Sequence, residues 1–270
     1  MRAAFSGAFR GGSKGWGRAA RRAFAMGVVG AACLVPPMMS LMMPGAALAA
    51  DTDQISPAEH LIFTTDHLHG VPQQTELDYA LLSSDQPAHS TDVIRVLVVS
   101  ADNAKGDAQV SDHSGAVPVP VGDLQCNPVI IYFLERDIAD MEHLTGGQRR
   151  YFQQRLRLAL AAGPKIETVT STVNGKSVKA QQIVVQPYLN DPNAERFAQY
   201  TGKRYTFLLA DTVPGQVALI RTDVPGANND FAHPTHTETL SFQAAVQKMA
   251  PAPNAPNVPA KPGDAPRASR

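Results

Sequence analysis

Between Asn127 and Leu160 the apolar residues recur every three to four positions, the spacing of helices with one buried face. Ile130, Leu134, Ile138 and Met141 form one stripe, flanked by Ile131 and Leu144, and Phe152, Leu156, Ala159 and Leu160 form a second. Asn127 can accept hydrogen bonds from the first free N–H groups, and Pro128 lacks the N–H that would go unpaired there. Thr145-Gly146-Gly147 supplies a corner. Either glycine suits the left-handed residue that ends a helix, and Thr145 with Gln148 has capping-box spacing for the next one. Gly163-Pro164 is the stop. The pattern predicts an antiparallel helical hairpin.

On either side the period drops to two. Ser56 and Glu59 have capping-box spacing and predict a short helix through His60, Leu61 and Ile62. Leu77, Tyr79 and Leu81 alternate with Glu76, Asp78 and Ala80, and Thr91 to Ser100 is nearly continuously apolar, as in a central strand covered on both faces. A weaker strand lies near Gln109-Val110. After the helices, Glu167–Val173 and Lys176–Val185 flank Asn174-Gly175, the signature of a hairpin with a type I′ turn. Asp191-Pro192 opens a short helix carrying Phe197 and Tyr200, which ends at Gly202; Tyr205, Phe207 and Leu209 alternate next, and Pro214-Gly215 turns the chain into Val217 to Arg221. Strands, then helices, then strands make an α+β fold. The expected architecture is a curved, mainly antiparallel sheet of about seven strands, with the helical hairpin inserted between strand groups and packed on the concave face.

The two ends differ from this middle. Residues 1–49 hold Arg2, Arg10, Lys14, Arg18, Arg21 and Arg22 and no acid, then a weakly apolar run, then the small-x-small site Ala47-Leu48-Ala49. That is the layout of a cleaved export signal. Arg21-Arg22 leaves the twin-arginine and secretory routes both open. Pro36, Pro37, Pro44 and Gly45 interrupt the run, against a retained membrane anchor. A single domain is expected over 51–246, and 247–270 reads as a disordered tail because six prolines follow from Pro251 with few large apolar residues.

Removing the leader leaves 18 basic against 24 acidic residues, so the remaining chain is near −6 with histidines neutral. Nucleic acid, which needs a basic footprint, is excluded as a partner. One cysteine, Cys126, remains, so no intrachain disulfide can form, and beside a helix start it reads as a small buried apolar residue.

The chain carries no nucleophile elbow, phosphate-binding glycine loop or H-E-x-x-H, and no cofactor is expected. Ser111-Asp112-His113 places triad residue types side by side, but neighbouring strand residues point to opposite faces. His67 and His69 with Asp66, and His233 with His236, have spacings a metal could use only if the clusters met. Asp137 falls inside the apolar stripe of the first helix and Arg155 inside that of the second, each about one hairpin arm from the corner. A charge on an apolar face needs a partner, so Asp137 and Arg155 are expected to pair across the hairpin, as a structural clamp or the floor of a polar cleft.

Asn127-Pro128-Val129, Phe133-Leu134-Glu135-Arg136-Asp137, Met141, Leu144-Thr145-Gly146-Gly147, Tyr151-Phe152 and Arg155 together resemble a core shared by exported proteins of Gram-negative bacteria to which no activity is assigned. Tyr205-Thr206-Phe207 and Val213-Pro214-Gly215 extend the resemblance, which covers roughly Glu59 to Val224. The layout is also similar to the half-barrel of periplasmic lipoprotein carriers, where helices cover a greasy concave sheet. These resemblances imply a periplasmic, non-enzymatic carrier with an apolar ligand such as a lipid, and no membrane span after cleavage. The alternatives are an envelope interaction module whose tail contacts another envelope protein, and a hydrolase or metal-dependent enzyme built on the histidines.

Overall fold

The computed structural model describes residues 55–85, 91–100, 108–120 and 125–248. The expected export signal and nearly all of the expected tail lie outside them.

Local signals set the helices. Ser56 Oγ accepts the Glu59 N–H at 3.1 Å while the Glu59 carboxylate accepts the Ser56 N–H at 3.2 Å, closing a capping box at α1 (Pro57–Glu59). His60–Thr64 then continues as a π-helical turn. The Asn127 side chain accepts the Val129 N–H at 3.1 Å and starts α2 (Pro128–Thr145), which ends on Gly146 at φ +66°. Thr145 stays within α2, its hydroxyl bonded to the Met141 carbonyl at 2.6 Å, so no capping box forms with Gln148, and α3 (Arg149–Ala161) begins without a side-chain cap. Gly147 is required by crowding: a Cβ there would sit 2.6 Å from the Phe152 ring. At the far end of α3, the Ser56 hydroxyl donates to the Leu160 carbonyl at 2.8 Å and ties α1 to the hairpin.

The strands form one sheet. In chain order they are β1 (Thr75–Ser83), β2 (Asp92–Val98), β3 (Ala108–Asp112), β4 (Gly115–Val117), β5 (Ile166–Val173), β6 (Lys176–Val185), β7 (Arg204–Leu209), β8 (Val217–Val224) and β9 (His236–Gln247). Their spatial order is β4-β3-β2-β1-β9-β8-β7-β6-β5 and every pairing is antiparallel. The sheet is curved and open, with the helices packed on it, an α+β fold. Asn174 and Gly175, at φ +50° and +74°, make the two-residue turn between β5 and β6 that their sequence predicts.

Two strand expectations change. β2 lies third from one edge, and only alternate residues Ile94, Val96 and Val98 are buried, so it is covered on one face rather than both. Arg95, on its other face, reaches towards Glu76 and Asp78 of β1. The larger change is β9. His236, singled out in the sequence only for its spacing from His233, begins the longest of these strands, which fills the middle of the sheet between β1 and β8. It continues to Gln247, opposite Thr75.

The inward faces of the strands meet α2 and α3 in a filled core. Leu77, Tyr79, Ile94, Phe133, Phe152, Phe207, Ile220 and Leu240 are all fully buried there. Phe152, Tyr188 and Phe197 pack edge to face, with centroids 5.7 to 5.8 Å apart. Among the described residues no helix is long and apolar enough to cross a membrane.

Candidate functional site

Asp137 is 2% exposed, as a charge on the apolar stripe would be, but its partner is not Arg155. The Lys203 ammonium donates to Asp137 Oδ1 at 2.5 Å, and the Tyr205 hydroxyl donates to Oδ2 at 2.6 Å. Arg155 is occupied elsewhere. Its Nε lies 2.7 Å from Asp191 Oδ2 without being aimed at it, and its guanidinium donates to the Pro187 carbonyl at 3.1 Å. Tyr151 donates to Asp191 Oδ1, which also accepts the Asn193 N–H at 2.7 Å. The expected Asp137–Arg155 pair is therefore replaced by two separate pairs, each completed from the segment after the hairpin. Tyr188 lies between them, its hydroxyl 3.2 Å from that of Tyr205. Burial first, and the Asp137 carboxylate second, push the phenols of Tyr205 and Tyr188 well above the ordinary range, so both stay neutral.

The neighbouring residue of α2 makes a parallel contact. Arg136 Nε donates to Glu238 Oε1 at 3.1 Å, and Glu238, Thr222 and Tyr205 sit side by side on β9, β8 and β7. Consecutive residues of one helix thus grip two strands: Arg136 holds β9 and Asp137 holds β7. Burial raises the Glu238 carboxyl above its usual value, with Arg136 opposing. Such a layer fixes the helix on the sheet; among the cavities described, none opens onto Asp137 or Lys203.

The remaining residues of the resemblance divide between the ends of the hairpin. Asn127 caps α2, and its amide also donates to the Tyr79 hydroxyl at 2.9 Å and the Gly215 carbonyl at 3.0 Å. Pro128 is buried behind it. Glu135 pairs with Arg149 across the two helices and accepts from Gln153. Thr145, Gly146, Gly147 and Tyr151 line one cleft of about 300 Å³ with Asn193, Arg196 and Phe197.

Among the described residues the histidines do not converge. His67 is buried; its Nε2 lies 2.8 Å from the Leu61 carbonyl, and its Nδ1 accepts the Asn127 N–H at 3.2 Å. Burial holds its pKa below the ordinary histidine value, so the ring is a neutral strut for the α2 cap. His69 lies near Asp66, His233 near Asp230 and His236 near Asp85. Ser111 and His113 do not form a triad with Asp112: His113 Nδ1 bonds Asp92 at 2.6 Å, and Asp112 accepts from Ser114 and Tyr132. Asp92, Asp112 and His113 place donor atoms within 4.8 Å of one another, already held by these partners. The Cys126 thiol is buried and pushed up to about 12.

The largest groove among those described, about 710 Å³, is lined by residues of α2, α3 and the α1 turn and by no strand residue, so it is not the space between sheet and helices that a carrier layout implies. Phe63, Ile131, Leu134, Ile138 and Leu156 line its apolar part, and Arg150 and Arg157 stand on its rim, exposed and without a salt-bridge or hydrogen-bond partner among the described residues. The sequence does not separate these two from Arg149 and Arg155 on the same helix, because α2 carries four acids, Glu135, Asp137, Asp140 and Glu142, that any of the four arginines could meet. Only Arg149 takes one of those acids.

No family model matches the chain, and no curated protein matches it. Among solved structures, the crystal structure of the Mycobacterium tuberculosis lipoprotein LppX is similar at 8% identity and a TM-score of 0.26, covering 65% of this chain and 88% of that one. A likeness at that level carries no functional argument.

Proposed function

We propose that this chain is an exported, non-enzymatic binding domain for an anionic amphiphile, held with its apolar part along the helical seam and its charged group against Arg150 and Arg157. Two guanidinium groups without a partner among the described residues, above an apolar floor, carry the reading. Arginine in this setting prefers carboxylate or phosphate, and an apolar groove with a few polar anchors is the usual form of a small-ligand site. Two carboxylates also line the groove, but Glu135 is held by Arg149 and Glu59 by its capping box, so the charges left to meet a ligand are those of the two arginines. Export rests on the basic leader and the small-residue site at Ala47-Leu48-Ala49.

The test is displacement of a fluorescent fatty acid from purified protein by an anionic lysolipid and by its zwitterionic counterpart. Arg150→Glu/Arg157→Glu should weaken anionic binding about tenfold or more, the loss of two charge-assisted contacts, while the Tm stays unchanged. Equal binding of both lysolipids, or binding indifferent to the charge reversal, would refute the site.

A further inference from the structure

The sheet is open, and its two edges are unlike. β4 forms one edge and is three residues long; β5 forms the other and runs for eight residues, Ile166–Val173. Natural edge strands are usually blunted by brevity, proline, lysine or a bulge. β5 has none of these: its sequence is Ile-Glu-Thr-Val-Thr-Ser-Thr-Val, and its ladder with β6 keeps one register throughout. Its single charge, Glu167, is paired with Lys165 at 2.8 Å.

The type I′ turn fixes which main-chain groups face outward. Val173 and Lys176 close the turn, so they form a hydrogen-bonded pair, and such pairs alternate along an antiparallel ladder. Val173, Ser171, Val169 and Glu167 therefore bond to β6. The N–H and C=O groups of Thr172, Thr170, Thr168 and Ile166 point away from it. Among the described residues none of these outward groups has a main-chain partner beyond the strand.

We propose that this edge is an interface with a second copy of the chain, two β5 strands pairing antiparallel about a two-fold axis. The inference is independent of the amphiphile reading. A two-fold requires the strand to complement itself, and β5 does. The register that uses all four outward residues sets Ile166 opposite Thr172 and Thr168 opposite Thr170, with Val169 meeting its own copy. Glu167 then faces Ser171, so no like charges oppose, and threonine pairs across strands are favourable. The assembly also closes. Once the two β5 edges are joined, each sheet ends in its short β4, which offers too little ladder for a third chain, so a dimer forms rather than a fibre.

Sedimentation of the leader-free chain over a range of concentrations tests this, beside Thr170→Pro. The Thr170 N–H is not used by β6, so proline there leaves the β5–β6 ladder intact while it removes a central donor and crowds the approaching strand. The wild type should be a reversible dimer. The variant should associate about tenfold more weakly or worse, with its Tm within a degree or two of the wild type. Should the proline variant fold poorly, Thr170→Lys keeps the N–H and blunts the edge by charge, and it should give the same loss of association. In hydrogen exchange, the wild-type amides of Thr168 and Thr170 should gain protection as concentration rises. A wild type that stays monomeric at its highest soluble concentration overturns the proposal. So does a dimer that both variants retain, or an edge found occupied by another protein's strand while the chain alone is monomeric.

Discussion

Replacing Lys203 by methionine removes one member of the most enclosed ion pair in the described structure. The Lys203 and Asp137 side chains are 5% and 3% exposed, so the substitution leaves a carboxylate with almost no access to water. Breaking such a pair from one side costs about 3–5 kcal/mol. The Tyr205 hydroxyl, 2.6 Å from Oδ2, still donates to the stranded carboxylate, which places the expectation near the lower end, about 3 kcal/mol. For a domain of this size that corresponds to a fall in Tm of roughly 6–12 °C. Urea unfolding followed by circular dichroism gives the free energy, with the m-value compared to confirm that the same surface is exposed. The double variant Asp137→Leu/Lys203→Met should recover at least half of the loss, because neither charge of the pair is left stranded and Tyr205 keeps the Tyr188 hydroxyl at 3.2 Å. A single-variant cost under about 1 kcal/mol, or strictly additive effects in the cycle, would refute the claim that the pair acts as a unit.

Two further outcomes follow from single residues. His67 has a folded pKa below its ordinary 6.5 because of burial, so the unfolded chain binds the proton first: its contribution is complete above 6.5 and is lost as pH falls towards the folded value. In that window the wild type should lose up to about 1.4 kcal/mol per pH unit relative to His67→Gln, and parallel urea-derived stability curves for the two proteins would contradict it. Cys126, buried with its thiol pushed up to about 12, should resist a disulfide-exchange reagent at pH 8 until urea unfolds the chain; rapid labelling of the native protein would show the thiol to be accessible.

What the sequence revealed and what it hid divide by distance along the chain. The start of α2 at Asn127-Pro128, its end at Gly146 and the β5–β6 turn at Asn174-Gly175 depend on groups a few residues apart, and each forms as the residue types require. Burial of Asp137 was equally legible, since helical rotation alone puts it between Ile130, Met141 and Leu144, although Leu144 itself is exposed. Its partner was not. Lys203 lies 66 positions away, and nothing in the hairpin points to it. β9 was missed for the same kind of reason. Glu238, Leu240 and Phe242 do alternate, but the glutamate occupies an inward position only because Arg136, 102 residues earlier, meets it there. Read locally, that glutamate makes the strand look exposed. The candidate groove was half legible. The apolar stripes of both helices were visible, whereas the freedom of Arg150 and Arg157 appears only once Arg149 is seen to take Glu135.

The place of β9 also governs when the domain can form. It is synthesised last, yet it stands between β1 and β8 and joins two halves that otherwise never pair. While the nascent chain is shorter, β1–β4 and β5–β8 are two separate meanders, each with an open flank that only the final strand can cover. Their union waits on a contact spanning the chain from Thr75 to Gln247, the slow, non-local kind. A ribosome-bound chain arrested after Thr235 should therefore remain sensitive to protease, whereas one extended past Lys248 and out of the exit tunnel should become resistant; resistance in the shorter chain would show that the halves are stable alone. A domain closed by the last of its strands stays unfolded until that strand is made, the condition in which a chain can still be threaded through a narrow channel.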